Sequence, residues 1–358
     1  MKRNLICLAF LFATLLAAFP VSTVNAARGV PGNPEFGYGV ALNTTPGTDV
    51  NISTVILQSF TQEVKPDWVS IDFNWADLQP DPNQPVDLSS IAPFIEYSSI
   101  HQYPILVKLC NAPAWAQTAF GPSAQFTIQL ISELLTRYPK TIQAIEIFPA
   151  ANTLEGWGAL PDPLAYTELF RSIQLAVTED MNSSTLLVAA GLLLNPPDAG
   201  HSMDMAALDY LKGLYQAGAK EIMPVISLQY GTITGEVLDS VQSGKYPLRY
   251  YEEIRRTMLE NDHAVGLIWI TRLPVSSTTT SRMEWLESAC NLLRAQLFIG
   301  TVFIDMPTSQ AEPGNSNGAL VFNLDQVEQV LKILKKLMFQ NAPEEWLSKS
   351  KTFYLSLG

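Results

Sequence analysis

The chain has 358 residues, 47% of them apolar, enough for a sizeable core in one large barrel or two ordinary domains. Its net charge of −12 argues against a nucleic-acid partner, because a phosphate backbone is held by Lys and Arg that displace its counterions. Beyond the N-terminal leader, no stretch is apolar for the roughly 20 residues that a membrane-spanning helix needs.

That leader is the first element. Lys2 and Arg3 precede an apolar run from Leu5 to Phe19, and Val24-Asn25-Ala26 follows as a small-residue cleavage site. The order predicts a secretory signal peptide over 1–26, cut after Ala26, and a secreted or extracytoplasmic protein. An uncut anchor is the alternative. Residues 27–35 form a Gly- and Pro-containing lead.

From Phe36 onward, strand-like and helix-like segments alternate. Short, nearly continuous apolar runs mark strands at Phe36–Leu42, Trp68–Phe73, Pro104–Cys110, Ala144–Phe148, Leu186–Gly191, Pro224–Leu228, Gly266–Thr271 and Phe298–Asp305. Such runs fit parallel strands buried on both faces. Helical spacing of apolar residues fills the intervals, at Ile52–Val64, Leu88–Ser99, Phe126–Tyr138, Pro163–Glu179, Met203–Ala217, Tyr246–Asn261, Arg282–Gln296 and Leu324–Phe339. Asp87 and Asp162-Pro163 supply start signals and Gly218 a stop.

Eight strand–helix units predict the α/β class and a single (β/α)8 TIM barrel over 36–340, with a tail over 341–358. An open doubly wound sheet is the alternative, weakened because no Gly-rich phosphate loop follows an early strand. Pro307–Leu320 reads as a structureless eighth βα loop.

Of the three cysteines, Cys110 and Cys290 remain after cleavage and are expected as free thiols. His101, His201 and His263 are scattered, so no metal and no cofactor are expected. No Gly-x-Ser-x-Gly elbow supports a serine hydrolase. Asn43-Thr44-Thr45, Asn51-Ile52-Ser53 and Asn182-Ser183-Ser184 fit glycan acceptor triplets.

The fourth strand ends in Glu146-Ile147-Phe148-Pro149-Ala150-Ala151-Asn152 and opens onto a loop, the place where a barrel of this kind carries its chemistry. This stretch resembles the Glu-Ile-Trp-Asn-Glu-Pro-Asn signature of the retaining glycosidase clan that includes cellulases and β-xylosidases. Phe36-Gly37-Tyr38-Gly39, Trp68 to Trp75 and Ala112-Pro113-Ala114-Trp115-Ala116 are similar to the clan's first strand, second strand and third βα loop. The resemblance implies a sugar-cleaving barrel with an acid/base glutamate at position 150 and a nucleophilic glutamate at position 272. This chain has Ala150 and Arg272 there. The His-Pro-Tyr of the clan's sixth strand is reduced to Leu228-Gln229-Tyr230.

A retaining glycosidase needs two carboxyl groups about 5 Å apart, and an always-charged guanidinium cannot attack carbon. The expectation is therefore a pseudo-glycosidase that binds a carbohydrate or a protein partner. Two alternatives stand beside it: an active enzyme using displaced carboxylates among Asp72, Glu146 and Asp305, and a rigid scaffold that ignores its pocket. Glu146 is expected one layer below Ala150, paired with Lys108, and Arg272 is expected to pair with Asp305. Trp75, Trp115, Trp157 and Tyr230 are candidate sugar-stacking platforms, each weighed against a core role. Asn74, Asn111 and Asn152 are candidate hydroxyl binders. Arg272 lowers the negative charge of the mouth, which opens it to an acidic sugar or another anion.

Overall fold

The computed structural model describes residues 36–42, 57–58, 65–194, 203–231, 233, 236–241, 247–274, 280–305, 308–310, 320–322 and 324–339. The leader, the lead to residue 35, the tail, the Asn43 and Asn51 triplets and most of the helix expected over Ile52–Val64 lie outside them.

Eight parallel strands close into a barrel in chain order: β1 (Gly37–Leu42), β2 (Trp68–Asn74), β3 (Ile105–Cys110), β4 (Ile142–Ile147), β5 (Leu186–Leu194), β6 (Val225–Tyr230), β7 (Leu267–Leu273) and β8 (Ile299–Asp305), which returns to β1. Around them run α1 (Ala92–His101), α2 (Ala124–Arg137), α3 (Pro163–Leu175), α4 (Ala207–Gln216), α5 (Tyr251–Glu260), α6 (Thr280–Arg294) and α7 (Leu324–Phe339). This is the single (β/α)8 barrel that the alternation implies. Among the described residues no helix is long and apolar enough to cross a membrane.

Local chemistry sets several boundaries. Asp162 caps α3 by accepting from the amides of Leu164 and Ala165, with Pro163 in the first turn where its missing N–H is harmless. Gly218 follows α4 at φ +78°, a left-handed position that favours glycine. Asp87 accepts from the Ser89 amide at 2.9 Å and so caps a turn; α1 itself starts later, at Ala92. Strands β5, β6 and β7 outrun their apolar cores because Gly191, Gln229 and Arg272 interrupt the hydropathy pattern without ending the ladder. The stretch Pro307–Leu320 is not wholly structureless: Thr308–Gln310 pairs antiparallel with Leu320–Phe322.

Alternation along the strands builds the interior in layers. Ala41, Leu106, Ala144, Val188, Val225, Trp269 and Phe303 form an apolar plug inside the barrel. Gly39 makes room for it, since a Cβ there would lie 2.2 Å from the Phe303 ring. Two residues further along their strands stand Lys108, Glu146, Ser227, Thr271 and Asp305. The larger core lies between the barrel and the helices.

Candidate functional site

The polar layer opens at the C-terminal ends of the strands into a cavity of about 400 Å³. Its described walls are Ala41, Leu42, Asp72, Lys108, Cys110, Asn111, Pro149, Ala150, Thr153, Glu155, Gly156, Leu193, Gln229, Arg272 and Asp305. Ala150 and Arg272, the two positions where the resemblance expects carboxylates, therefore face one cavity. No aromatic side chain stands among these walls.

Two ion pairs organise the charge. Lys108 Nζ lies 2.5 Å from Asp72 Oδ1, and the lysine is only 5% exposed. Burial works to lower the Lys108 pKa, but the carboxylates of Asp72, Asp305 and Glu146 outweigh it and hold the ammonium above the usual lysine range. Arg272 Nε donates to Asp305 Oδ2 at 3.0 Å, the expected pairing. Burial raises the Asp305 carboxyl pKa, and Lys108 and Arg272 pull it back in part.

Glu146 is fully buried, one layer down. It sits in register with Lys108 and Val188 on its neighbouring strands. Its direct partner is not Lys108, as expected, but Thr271, whose hydroxyl donates to Oε1 at 2.8 Å. The lysine pairs instead with Asp72, its register partner on β2. Burial raises the Glu146 pKa, opposed by Lys108 and by the Thr271 hydrogen bond.

A bulge explains how Thr271 and Arg272 both serve the interior. Leu228 pairs with Ile270, but the next residue, Gln229, pairs with Arg272; on the other side Val302 pairs with Ile270 and Ile304 with Leu273. The extra residue in β7 breaks the alternation. Thr271 drops into the layer below while Arg272 lines the cavity.

A second irregularity shapes the Ala150 loop. The register shifts between Ala189 and Leu192, with Ala190 at φ +75° and Gly191 at φ +47°. Gly191 accepts from the Ala150 amide at 2.7 Å, and a Cβ on Gly191 would lie 2.4 Å from Pro149 Cα. Tyr166 ties the strand ends together: its hydroxyl donates to the Ile147 carbonyl and accepts from the Ala190 amide, each at 2.7 Å. Phe148 and Ala150 also take left-handed φ values, +46° and +59°. For L-residues these are strained, and the surrounding hydrogen bonds hold them there.

The remaining candidates divide between wall and core. Asn111 lines the cavity. Asn152 does not; it is buried, donating to the Leu193 and Met205 carbonyls and accepting from the Leu193 amide. Trp75, Trp157 and Tyr230 are at most 1% exposed, with polar atoms given to Gln79, the Phe120 carbonyl and the Leu248 carbonyl. Trp115 wedges edge-on between Trp75 and Phe126. These aromatics hold the loops instead of flooring the mouth. Asn74 donates to Asp77. The sequence reading missed Lys108 and Gln229 as cavity residues; the alternation two residues beyond Leu106 and Ser227 carried that signal. Cys110, also on the wall, is a free thiol whose pKa burial pushes well up.

The fold is a (β/α)8 barrel like that of solved glycoside hydrolases. The barrel superimposes on a family 39 glycoside hydrolase from the gut symbiont Bacteroides cellulosilyticus WH2, with a TM-score of 0.57 and 14% identity, over 79% of this chain and 59% of that one. A monomeric β-xylosidase from Caulobacter crescentus CB15 aligns with a TM-score of 0.56 and 14% identity, over 87% of this chain and 69% of its own. A family 30 endoxylanase from Clostridium papyrosolvens C71 gives 0.52 and 12%, over 86% and 72%. The sequence matches no protein-family profile and no curated protein.

Proposed function

We propose that this chain is an exported carbohydrate-binding protein built on a glycosidase barrel that does not hydrolyse by double displacement. One observation carries the reading. The two positions that would hold the acid/base and the nucleophile face the same cavity, and they carry a methyl group and a guanidinium already paired with Asp305. Double displacement needs a proton donor and an attacking carboxylate about 5 Å apart, and neither residue type can play its part.

Binding draws support from the cavity itself. It is open, polar and lined by Asn111 and Gln229, whose amides offer hydrogen bonds to sugar hydroxyls. A pure scaffold would do better with a filled mouth. The structural relatives named above are, by their own descriptions, glycosidases, β-xylosidases and endoxylanases, which makes a saccharide the ligand class to test first. Export rests on the leader over 1–26.

A second reading is favoured by a specific feature. Asp72 and Asp305 line the same cavity, and the Asp305 carboxyl is raised in the direction a general acid needs. One experiment separates the two. A glycan array followed by calorimetry on the mature chain is run beside an assay on aryl glycosides. Saccharide binding without turnover supports the first reading. Turnover abolished by Asp305→Asn or Glu146→Gln overturns it in favour of the second.

A further inference from the structure

The cavity walls carry five ionisable side chains of opposite sign among the described residues: Asp72, Glu155 and Asp305 against Lys108 and Arg272. Each cation is already taken, Lys108 by Asp72 at 2.5 Å and Arg272 by Asp305 at 3.0 Å. Glu155 is left over. It stands in the helical turn Leu154–Trp157 that follows the Ala150 loop, exposed to solvent, and makes no ion pair or side-chain hydrogen bond among the described residues. Below the floor lies a further carboxyl group, Glu146, which makes no ion pair among the described residues.

Arg272 therefore does not make the mouth a site for anions. Its charge is matched by Asp305 as that of Lys108 is by Asp72, so the described walls carry one net negative charge, on Glu155. A ligand with a positive group meets the opposite situation: among the described residues, one unpaired carboxylate at the rim and a net negative charge around it. Resting on the saccharide reading above, we infer that the cavity is selective for amino sugars carrying free ammonium groups, with Glu155 as their ionic contact. The pairing is charge-assisted at both ends, N⁺–H to O⁻, and the rim position keeps it in contact with water.

The test uses two probes that differ only at C2. Cellotetraose carries hydroxyl groups there, and the β-1,4-linked glucosamine tetrasaccharide carries ammonium groups. Calorimetry on the mature chain is run at about pH 6, where an amine of this type is protonated. Salt is set at about 0.01 M and again at about 1 M, with Debye lengths of about 30 and 3 Å. The amino sugar is expected to bind about threefold to fivefold tighter at low salt, the size of an exposed ion pair. That margin disappears at high salt and in Glu155→Gln. Equal affinity for the two probes, or a margin that survives Glu155→Gln, overturns the inference and leaves the saccharide reading intact. Failure of both probes, together with an array on which no glycan binds, overturns the saccharide reading and the inference with it.

Discussion

Arg272 and Asp305 meet across the ends of adjacent strands, Nε to Oδ2 at 3.0 Å, in the place where the resemblance expects a nucleophilic carboxylate. The pair is partly solvated, the Arg272 side chain being 48% exposed, so its worth is modest. Arg272→Ala is expected to lower unfolding stability by no more than about 1 kcal/mol. Because the guanidinium holds the Asp305 pKa down against burial, the same change should raise it further, as read by carboxyl NMR titration. An unmoved Asp305 titration would contradict the pairing.

Lys108 has a heavier part. Its ammonium interacts with three carboxylates, Asp72, Asp305 and Glu146. Lys108→Met leaves them without it, and a loss of about 3 kcal/mol is expected, the lower end for a buried pair because Asp72 keeps some contact with water. Urea unfolding measures it. A loss under about 1 kcal/mol would show that the layer does not depend on the lysine.

Glu146 gives a pH signature. Its folded pKa is raised, so between the unfolded value of about 4.3 and the higher folded one the native state binds more protons than the unfolded chain. Stability from this group is present in acid and lost as pH rises through that window. Glu146→Gln removes the dependence. The stability of wild type relative to the variant should fall from acid toward neutral pH in denaturant titrations; a difference that stays flat or rises would refute the assignment.

Two backbone substitutions probe the loop that carries Ala150. Gly191→Ala places a Cβ 2.4 Å from Pro149 Cα and 2.8 Å from Glu146 Oε1, and should destabilise by about 2–3 kcal/mol. Ala150→Gly relieves a left-handed residue of about 1–2 kcal/mol of strain, offset by about 0.4–1 kcal/mol of unfolded-state entropy. A net gain of about 0.5–1 kcal/mol in thermal or urea unfolding is the expected result.

Asn152 tests whether a matched signature residue serves ligand or fold. Asn152→Ala strands the Leu193 amide and two carbonyls inside the protein, with an expected loss of at least about 3 kcal/mol. Full stability with weakened saccharide binding would return Asn152 to the ligand.

Much of the fold was legible because buried parallel strands announce themselves as apolar runs and surface helices as one-sided periodicity. The helix over Leu324–Phe339 has the bounds its spacing implies. The strand ends were harder. Gly191, Gln229 and Arg272 break the hydropathy pattern although the ladder continues past them. In the site, the aromatics show the limit of composition. Trp75, Trp157 and Tyr230 stand near strand ends, but the packing of the loops, which composition does not show, puts all three rings in the core.

The sequence by itself determined a barrel and the identity of two residues, Ala150 and Arg272, at its business end. It did so because both rest on local facts, the period of apolar residues and the match of a short motif. Only the tertiary structure decided which charges meet: Lys108 with Asp72, Glu146 with Thr271, and Glu155 with none of the described residues. Those partners come from different strands and are set by barrel closure. A one-residue bulge in β7 also turns Arg272 toward the cavity, against the alternation of its own strand.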